Sequence, residues 1–167
     1  MNEPGLLPHG WCWTSLVDVS SIVRGVAFPS NVKQTTASDD SVACLRTTNV
    51  QSSVEWDDLW HIPKSFVSRP EQMLAVDDIL ISTANSLNLV GKVALVVHVP
   101  TVSTLGAFIS LIRSTSECSP RFLYYQLTSR RVQTDFRRVA STTTNISNLS
   151  SGKVASAQIA LAPLDEQ

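Results

Sequence analysis

At 167 residues, with 43% hydrophobic and 16% charged residues, the chain has the size and composition of one globular domain with a real core, which excludes a disordered segment. A formal net charge of −1 excludes a strongly basic, non-specific nucleic-acid binder. No apolar run approaches the ~20 residues that span a bilayer, and Met1-Asn2-Glu3-Pro4 has neither the basic head nor the apolar run of a secretory leader.

Taken in order, Trp11-Cys12-Trp13 alternates with period two and predicts a first strand carrying both indoles on one side, where core packing explains them. Leu16, Val19 and Val23 follow at helical spacing and predict a short helix ending at Gly25. Residues 26–41, preceded by Gly25 and containing Pro29, read as a surface loop with those two residues as punctuation. Val42-Ala43-Cys44-Leu45-Arg46 reads as a buried strand with a cation at its exit, followed by Thr47-Thr48-Asn49. Arg46 and Asn49 are residue types suited to bidentate contacts with guanine and adenine. An ion pair between Arg46 and a nearby carboxylate accounts for the arginine equally well. Residues 57–63 look like a short acidic turn or helix stopped by Pro63, with His61 at or near the surface.

The centre of the chain is a predicted hairpin. Asp78-Ile79-Leu80-Ile81 and the run from Val90 to Val97 are apolar and β-branched, as buried strands are. Between them, Ser82-Thr83-Ala84-Asn85-Ser86-Leu87-Asn88 carries donors and acceptors but no charge. Alone, such a loop is an ordinary turn; on stiff strands it can also present hydrogen-bonding groups to a partner. Residues 100–106 form a connection and 107–113 another strand. Ser119-Pro120 opens a helix running through Leu127, and a second helix, Arg130 to Val139, puts Val132, Phe136 and Val139 on one stripe. The uncharged run Ser141-Thr142-Thr143-Thr144-Asn145 follows, then one helical turn from Ser147 to Gly152, then a last strand, Gln158 to Leu161.

Charge is unevenly placed. Residues 1–91 hold five Lys/Arg against ten Asp/Glu, and residues 92–167 hold eight against four. That asymmetry leaves room for a basic face, to which Arg130, Arg131, Arg137 and Arg138 would contribute, although a solvated helix surface gives the same count. Catalytic constellations are missing. His9, His61 and His98 lack metal-ligand spacing, the six glycines form no phosphate-cradling loop, and Gly-x-Ser-x-Gly is absent. The pairs Asp39-Asp40, Asp57-Asp58 and Asp77-Asp78 read as solvated acids, because neighbouring side chains on a strand or turn diverge. Cys12, Cys44 and Cys118 are odd in number and far apart, so no disulfide framework or zinc knuckle is expected, and the compartment expected is a reducing cytoplasm.

Seven segments, in order and over nearly the whole length, carry a family resemblance. They are Leu7-Pro8-x-Gly10-Trp11-x-Trp13 with Leu16 and Val19; Gly25-x-x-Phe28-x-Ser30; Leu45-Arg46-x-x-Asn49-Val50; Asp58-Leu59-x-x-Ile62-Pro63; Asp78-Ile79-Leu80-Ile81 with Asn85-Ser86 and Leu89-Val90-Gly91-Lys92; Asn145-Ile146-Ser147 with Leu149; and Pro163-Leu164-x-Glu166-Gln167. Together they resemble one target recognition domain of the specificity subunit of type I restriction–modification systems. The sequence departs from that pattern at Asp77, at Ala162 and in the run Ser141 to Thr144.

The resemblance implies a single α+β domain over residues 1–167, with a mixed twisted sheet and flanking helices, ending where a conserved spacer helix would begin. It implies a non-enzymatic module that reads one half of a bipartite site on double-stranded DNA, without a cofactor of its own and without a membrane. Its expected partners are the methyltransferase and restriction subunits of the same system, with a homodimer if the chain is a half-subunit. The candidate DNA-binding residues are Arg24, Lys33, Arg46, Thr47, Asn49, Thr83, Asn85, Ser86, Asn88, Lys92, Thr143 and Asn145. The alternative is a module that tethers a methyltransferase and never touches bases.

Overall fold

The computed structural model describes residues 6–167, so the stretch Met1 to Pro4 read for a leader lies outside the described residues. The elements in chain order are β1 (Cys12–Ser15), α1 (Leu16–Val19), β2 (Ser20–Arg24), β3 (Ser41–Leu45), β4 (Trp60–Pro63), β5 (Ile79–Ser82), β6 (Ala84–Asn85), β7 (Val93–Leu95), β8 (Ser103–Leu105), β9 (Ile109–Ser114), α2 (Pro120–Thr128), α3 (Arg130–Val139), β10 (Ser141–Thr142), β11 (Ser147–Asn148), α4 (Ser151–Ala155) and β12 (Gln158–Leu161).

The strands form several small sheets, one of them mixed as expected from sequence. The largest has the order β2-β9-β5-β7 and is antiparallel throughout. A three-stranded sheet, β4-β3-β8, is mixed: β3 runs antiparallel to β4 and parallel to β8. β1 pairs with β12, and β10-β11-β6 make a third small sheet. The chain is thus a mixed α/β domain with several small sheets and a few helices.

Period-two alternation decides which side of the large sheet each residue serves. Ile79, Ile81, Val93 and Ile112 face a core shared with Phe122, Leu123 and Leu127 of α2 and Val132 and Phe136 of α3. Leu80, Ala94, Leu111 and Val23 point the other way, onto Leu45 of β3 and Leu105 of β8. The large sheet is therefore covered by helices on one side and by a second sheet on the other. At roughly 2 kcal/mol for each fully buried aliphatic side chain, this sandwich supplies most of the driving force for folding.

Several expectations need correction. The predicted helix to Gly25 stops at Val19, and Ser20–Arg24 is a strand against β9. Leu16 and Val19 are spaced for a helix, but Ile22 and Val23 face opposite cores, which only a strand allows. The acidic stretch before Pro63 ends in β4, and residues 103–105, read as connection, form β8. Ser147–Asn148 is a strand, and α4 runs through Gly152 where a stop was expected. Asp78 is not a solvated acid. It is 1% exposed, with Oδ1 and Oδ2 accepting from Arg113 Nε and Nη2 at 2.7 and 2.8 Å, and Oδ2 from the Ala75 N–H at 2.7 Å. The carboxylate in turn raises the Arg113 pKa, chiefly through that hydrogen bonding. The tryptophans part company. Trp11 packs edge-on to Phe122, whereas Trp13 lies 3.7 Å beneath the Arg131 guanidinium.

Candidate functional site

The two uncharged loops of the sequence are one object in space. β6, in the hairpin loop, pairs antiparallel with β11, placing Asn85 opposite Ser147 and Ala84 opposite Asn148. β11 pairs in turn with β10, setting Ser141 opposite Asn148 and Thr142 opposite Ser147. The base of this small sheet is tied to the large one: the Thr83 N–H donates to the Phe108 carbonyl at 2.8 Å, and the Leu149 N–H donates to the Thr83 carbonyl at 2.8 Å. Within it, the hydroxyls of Thr142 and Ser147 meet at 3.0 Å. The Thr143 hydroxyl and N–H both donate to the Ile146 carbonyl, at 3.1 and 2.9 Å, which closes the turn between β10 and β11.

Asn85 is half-buried and fixes its own loop, donating to the Ser82 hydroxyl at 3.2 Å and accepting from the Ser86 N–H at 2.9 Å. Ser86, Asn88, Thr143, Asn145 and Asn148 are exposed. Residues 82–91 and 141–152 contain no Asp, Glu, Lys or Arg. Neutral amides and hydroxyls both donate and accept, and they lose water at far less cost than charges do. A surface of this kind can be pressed against another polar surface and read it.

Cations stand beside the tip. Lys153 of α4 donates from Nζ to the Ser141 hydroxyl at 2.9 Å, and the Lys92 ammonium donates to the side-chain amide oxygen of Gln51. A groove of about 470 Å³ adjoins the tip sheet, lined by Val26, Phe28, Trp60 and Phe108 with Lys33 and Arg46. Phe108 joins the two features, since its side chain lines the groove and its carbonyl holds Thr83. Lys33 Nζ lies 4.4 Å from the centre of the Trp60 ring, and the Arg46 guanidinium lies 5.0 Å from it. Arg46 also donates to the carboxylate of Asp58 and, at 3.0 Å, to its carbonyl, so the ion-pair reading of this arginine is the one realised.

The structure therefore brings Thr83, Asn85, Ser86, Asn88, Thr143 and Asn145 together on one small sheet and its turns. Lys33, Arg46 and Thr47 gather at the adjoining groove. Arg24 is exposed on β2 and does not line that groove. Asn49 is a correction. It is 3% exposed, its Oδ1 accepting from the Arg46 N–H at 2.9 Å and its Nδ2 donating to the Asp57 carbonyl at 2.9 Å, so its amide is consumed by the turn after β3. Sequence reasoning missed Ser147, Asn148, Lys153 and Phe108. The first two lie in a stretch whose lack of charge runs on to Gly152, which was the available signal. Nothing local marks Phe108.

Burial pushes the Cys44 thiol up to about 12 and the Cys118 thiol up to about 11, away from the reactive thiolate. Among the described residues, no group of three or more His, Cys, Asp or Glu could hold a metal ion, and no helix is long and apolar enough to cross a membrane.

No protein-family model matches the chain. It is 26% identical over 164 residues to the type I restriction enzyme EcoKI specificity subunit of Escherichia coli (strain K12), an alignment covering 98% of this chain and 35% of that protein. It is 28% identical over 126 residues to the type I restriction enzyme StySPI specificity subunit of Salmonella potsdam, covering 74% of this chain and 26% of that one. The chain thus spans about a third or less of the curated relatives it matches. The crystal structure of the HsdS subunit from Thermoanaerobacter tengcongensis superposes with a TM-score of 0.68 at 19% identity, covering 99% of this chain and 36% of that one, and so shares the fold. Over a segment the size of one target recognition domain, the chain is homologous to the specificity subunits of type I restriction enzymes.

Proposed function

We propose that the chain is a DNA target recognition domain that reads one half of a bipartite duplex site. The observation that carries this reading is the joining of two sequence-distant uncharged loops into one exposed sheet, bordered by Lys92, Lys153 and the Lys33 groove. Base edges in the major groove are distinguished by patterns of donors and acceptors, and Asn, Ser and Thr side chains match them without a net charge. Phosphates need cations placed to the side, where they set register and supply salt-dependent affinity. In this arrangement Asn88, Thr143 and Asn145 face bases, Asn85 and Thr83 hold the tip in shape, and Lys33, Lys92 and Lys153 meet phosphates. Arg46, compensated by Asp58, contributes less to affinity than its type suggests.

The domain performs no chemistry of its own in this reading. It positions a methyltransferase subunit, which brings S-adenosylmethionine and extrudes the target adenine, and it directs a restriction subunit to the same site. The near-zero net charge of the chain is compatible with DNA binding when those partners share the electrostatic grip. The test is selection of duplexes from a randomised pool by the full-length protein assembled with its methyltransferase. A defined half-site that disappears when this domain is exchanged for another supports the reading. An unchanged selected sequence and an unchanged salt slope after the exchange favour the tethering alternative.

A further inference from the structure

The loops of the tip carry three aliphatic side chains that the core does not use, Leu87, Leu89 and Ile146, of which Leu87 and Ile146 are the most exposed. Leu87 is 45% exposed and Ile146 is 49% exposed, and neither belongs to any of the hydrophobic clusters. Leu87 lies in the turn that follows β6, and Ile146 lies in the turn between β10 and β11, immediately before Ser147. Each is flanked in sequence by neutral polar residues, Leu87 by Ser86 and Asn88, and Ile146 by Asn145 and Ser147.

We infer that Leu87 and Ile146 are thymine-sensing residues, which pack against the C5-methyl groups of thymines in the major groove. The inference rests on the reading of this tip as a base-reading surface and names the bases that it favours. In the major groove a thymine offers one carbonyl acceptor and one methyl group, and an aliphatic side chain discriminates by covering that methyl. The flanking charge suits this occupant: the tip itself is neutral, and the cations Lys92 and Lys153 stand at its base, where a duplex places its phosphates. Among the described residues, both ammonium groups are hydrogen-bonded only to neutral side chains, Gln51 and Ser141, so an apolar protein surface would leave their charge uncompensated, whereas a duplex supplies phosphates as well as methyl-sized apolar contacts.

The experiment replaces thymine by uracil, which removes the methyl and nothing else. The full-length protein assembled with its methyltransferase selects its preferred duplex from a randomised pool, and each dT of that half-site is then changed singly to dU. At least one change should weaken binding by the wild-type complex by about fourfold, the worth of one methyl withdrawn from an apolar contact. That penalty should vanish in Leu87→Ala or Ile146→Ala, both of which alter exposed positions and leave the fold intact. Neutral dU at every position, a penalty that persists in both variants, or a selected half-site without thymine overturns the inference while DNA reading stands. Loss of methyltransferase association in either variant, with DNA preference unchanged, also overturns it and makes the patch a protein contact. Failure to select any sequence removes the DNA-reading proposal and this inference together.

Discussion

Asn85 stands directly opposite Ser147 in an antiparallel pair, which binds the loop of the central hairpin to a segment beyond the last long helix. The pairing has two consequences. It removes the freedom of two polar loops, a cost that the backbone hydrogen bonds of the pairing offset, and it mounts their side chains on one support. A reading surface needs that order beforehand, because each side chain immobilised on binding subtracts from affinity.

Salt dependence separates the cations. Lys33→Ala and Lys153→Ala should each lower the slope of log affinity against log salt by about one, while leaving sequence preference intact. Arg46→Ala should lower it less, because Asp58 already compensates its charge. Binding titrations across a range of salt concentrations check both statements.

The Asp78–Arg113 pair locks the start of β5 to the end of β9. Arg113→Met leaves a buried carboxylate without its bidentate partner and should cost about 3 kcal/mol, the low end for a broken buried pair because Arg113 retains contact with water. The double variant Asp78→Leu/Arg113→Met should recover part of that loss. Urea denaturation of the three proteins measures it.

The thiols report the core. Cys12 is exposed, whereas Cys44 and Cys118 are buried, so a thiol reagent should label Cys12 alone in the folded protein and all three after unfolding. The folded Cys44 pKa, about 12, stands above its ordinary value of 9.0. Between those values the unfolded chain releases a proton that the folded chain keeps, so stability from this group is complete below pH 9.0 and falls as the pH rises towards 12. Cys44→Val should flatten the alkaline limb of the urea midpoint against pH.

Two glycines should respond in opposite directions. Gly91 has φ +83°, and a Cβ there would lie 2.9 Å from Phe136 Cβ, so Gly91→Ala should cost about 2–3 kcal/mol and loosen α3 from the central hairpin. Gly152 lies within α4 with nothing near its missing Cβ, so Gly152→Ala should stabilise by roughly 0.5–1 kcal/mol. Thermal melts give both signs.

Much of the scaffold was legible in sequence, for definite reasons. The β-branched runs around Leu80 and Ala94, the stripe of Val132 and Phe136, and the Ser119-Pro120 helix start all carry their own periodicity or cap. Short strands were harder. Trp60–Pro63 and Ser103–Leu105 are stabilised by their pairing with Ser41–Leu45, which no local pattern announces. The polar character of the Thr83 and Thr143 loops was legible, but their union was not, because it depends on a register between distant segments. Asn49 failed for a related reason: its residue type suits a base edge, yet its amide is spent on the Arg46 N–H and the Asp57 carbonyl.

The central claim is that the neutral tip selects sequence. Its most direct measurement is duplex selection by the assembled complex carrying Asn88→Ala, Thr143→Ala and Asn145→Ala together, all at exposed positions. The account requires a folded variant, its melting temperature lowered only by loss of the Thr143–Ile146 side-chain hydrogen bond, with the half-site preference lost or altered by at least tenfold while general DNA affinity remains. The same selected sequence at the same affinity, from a folded triple variant, contradicts it.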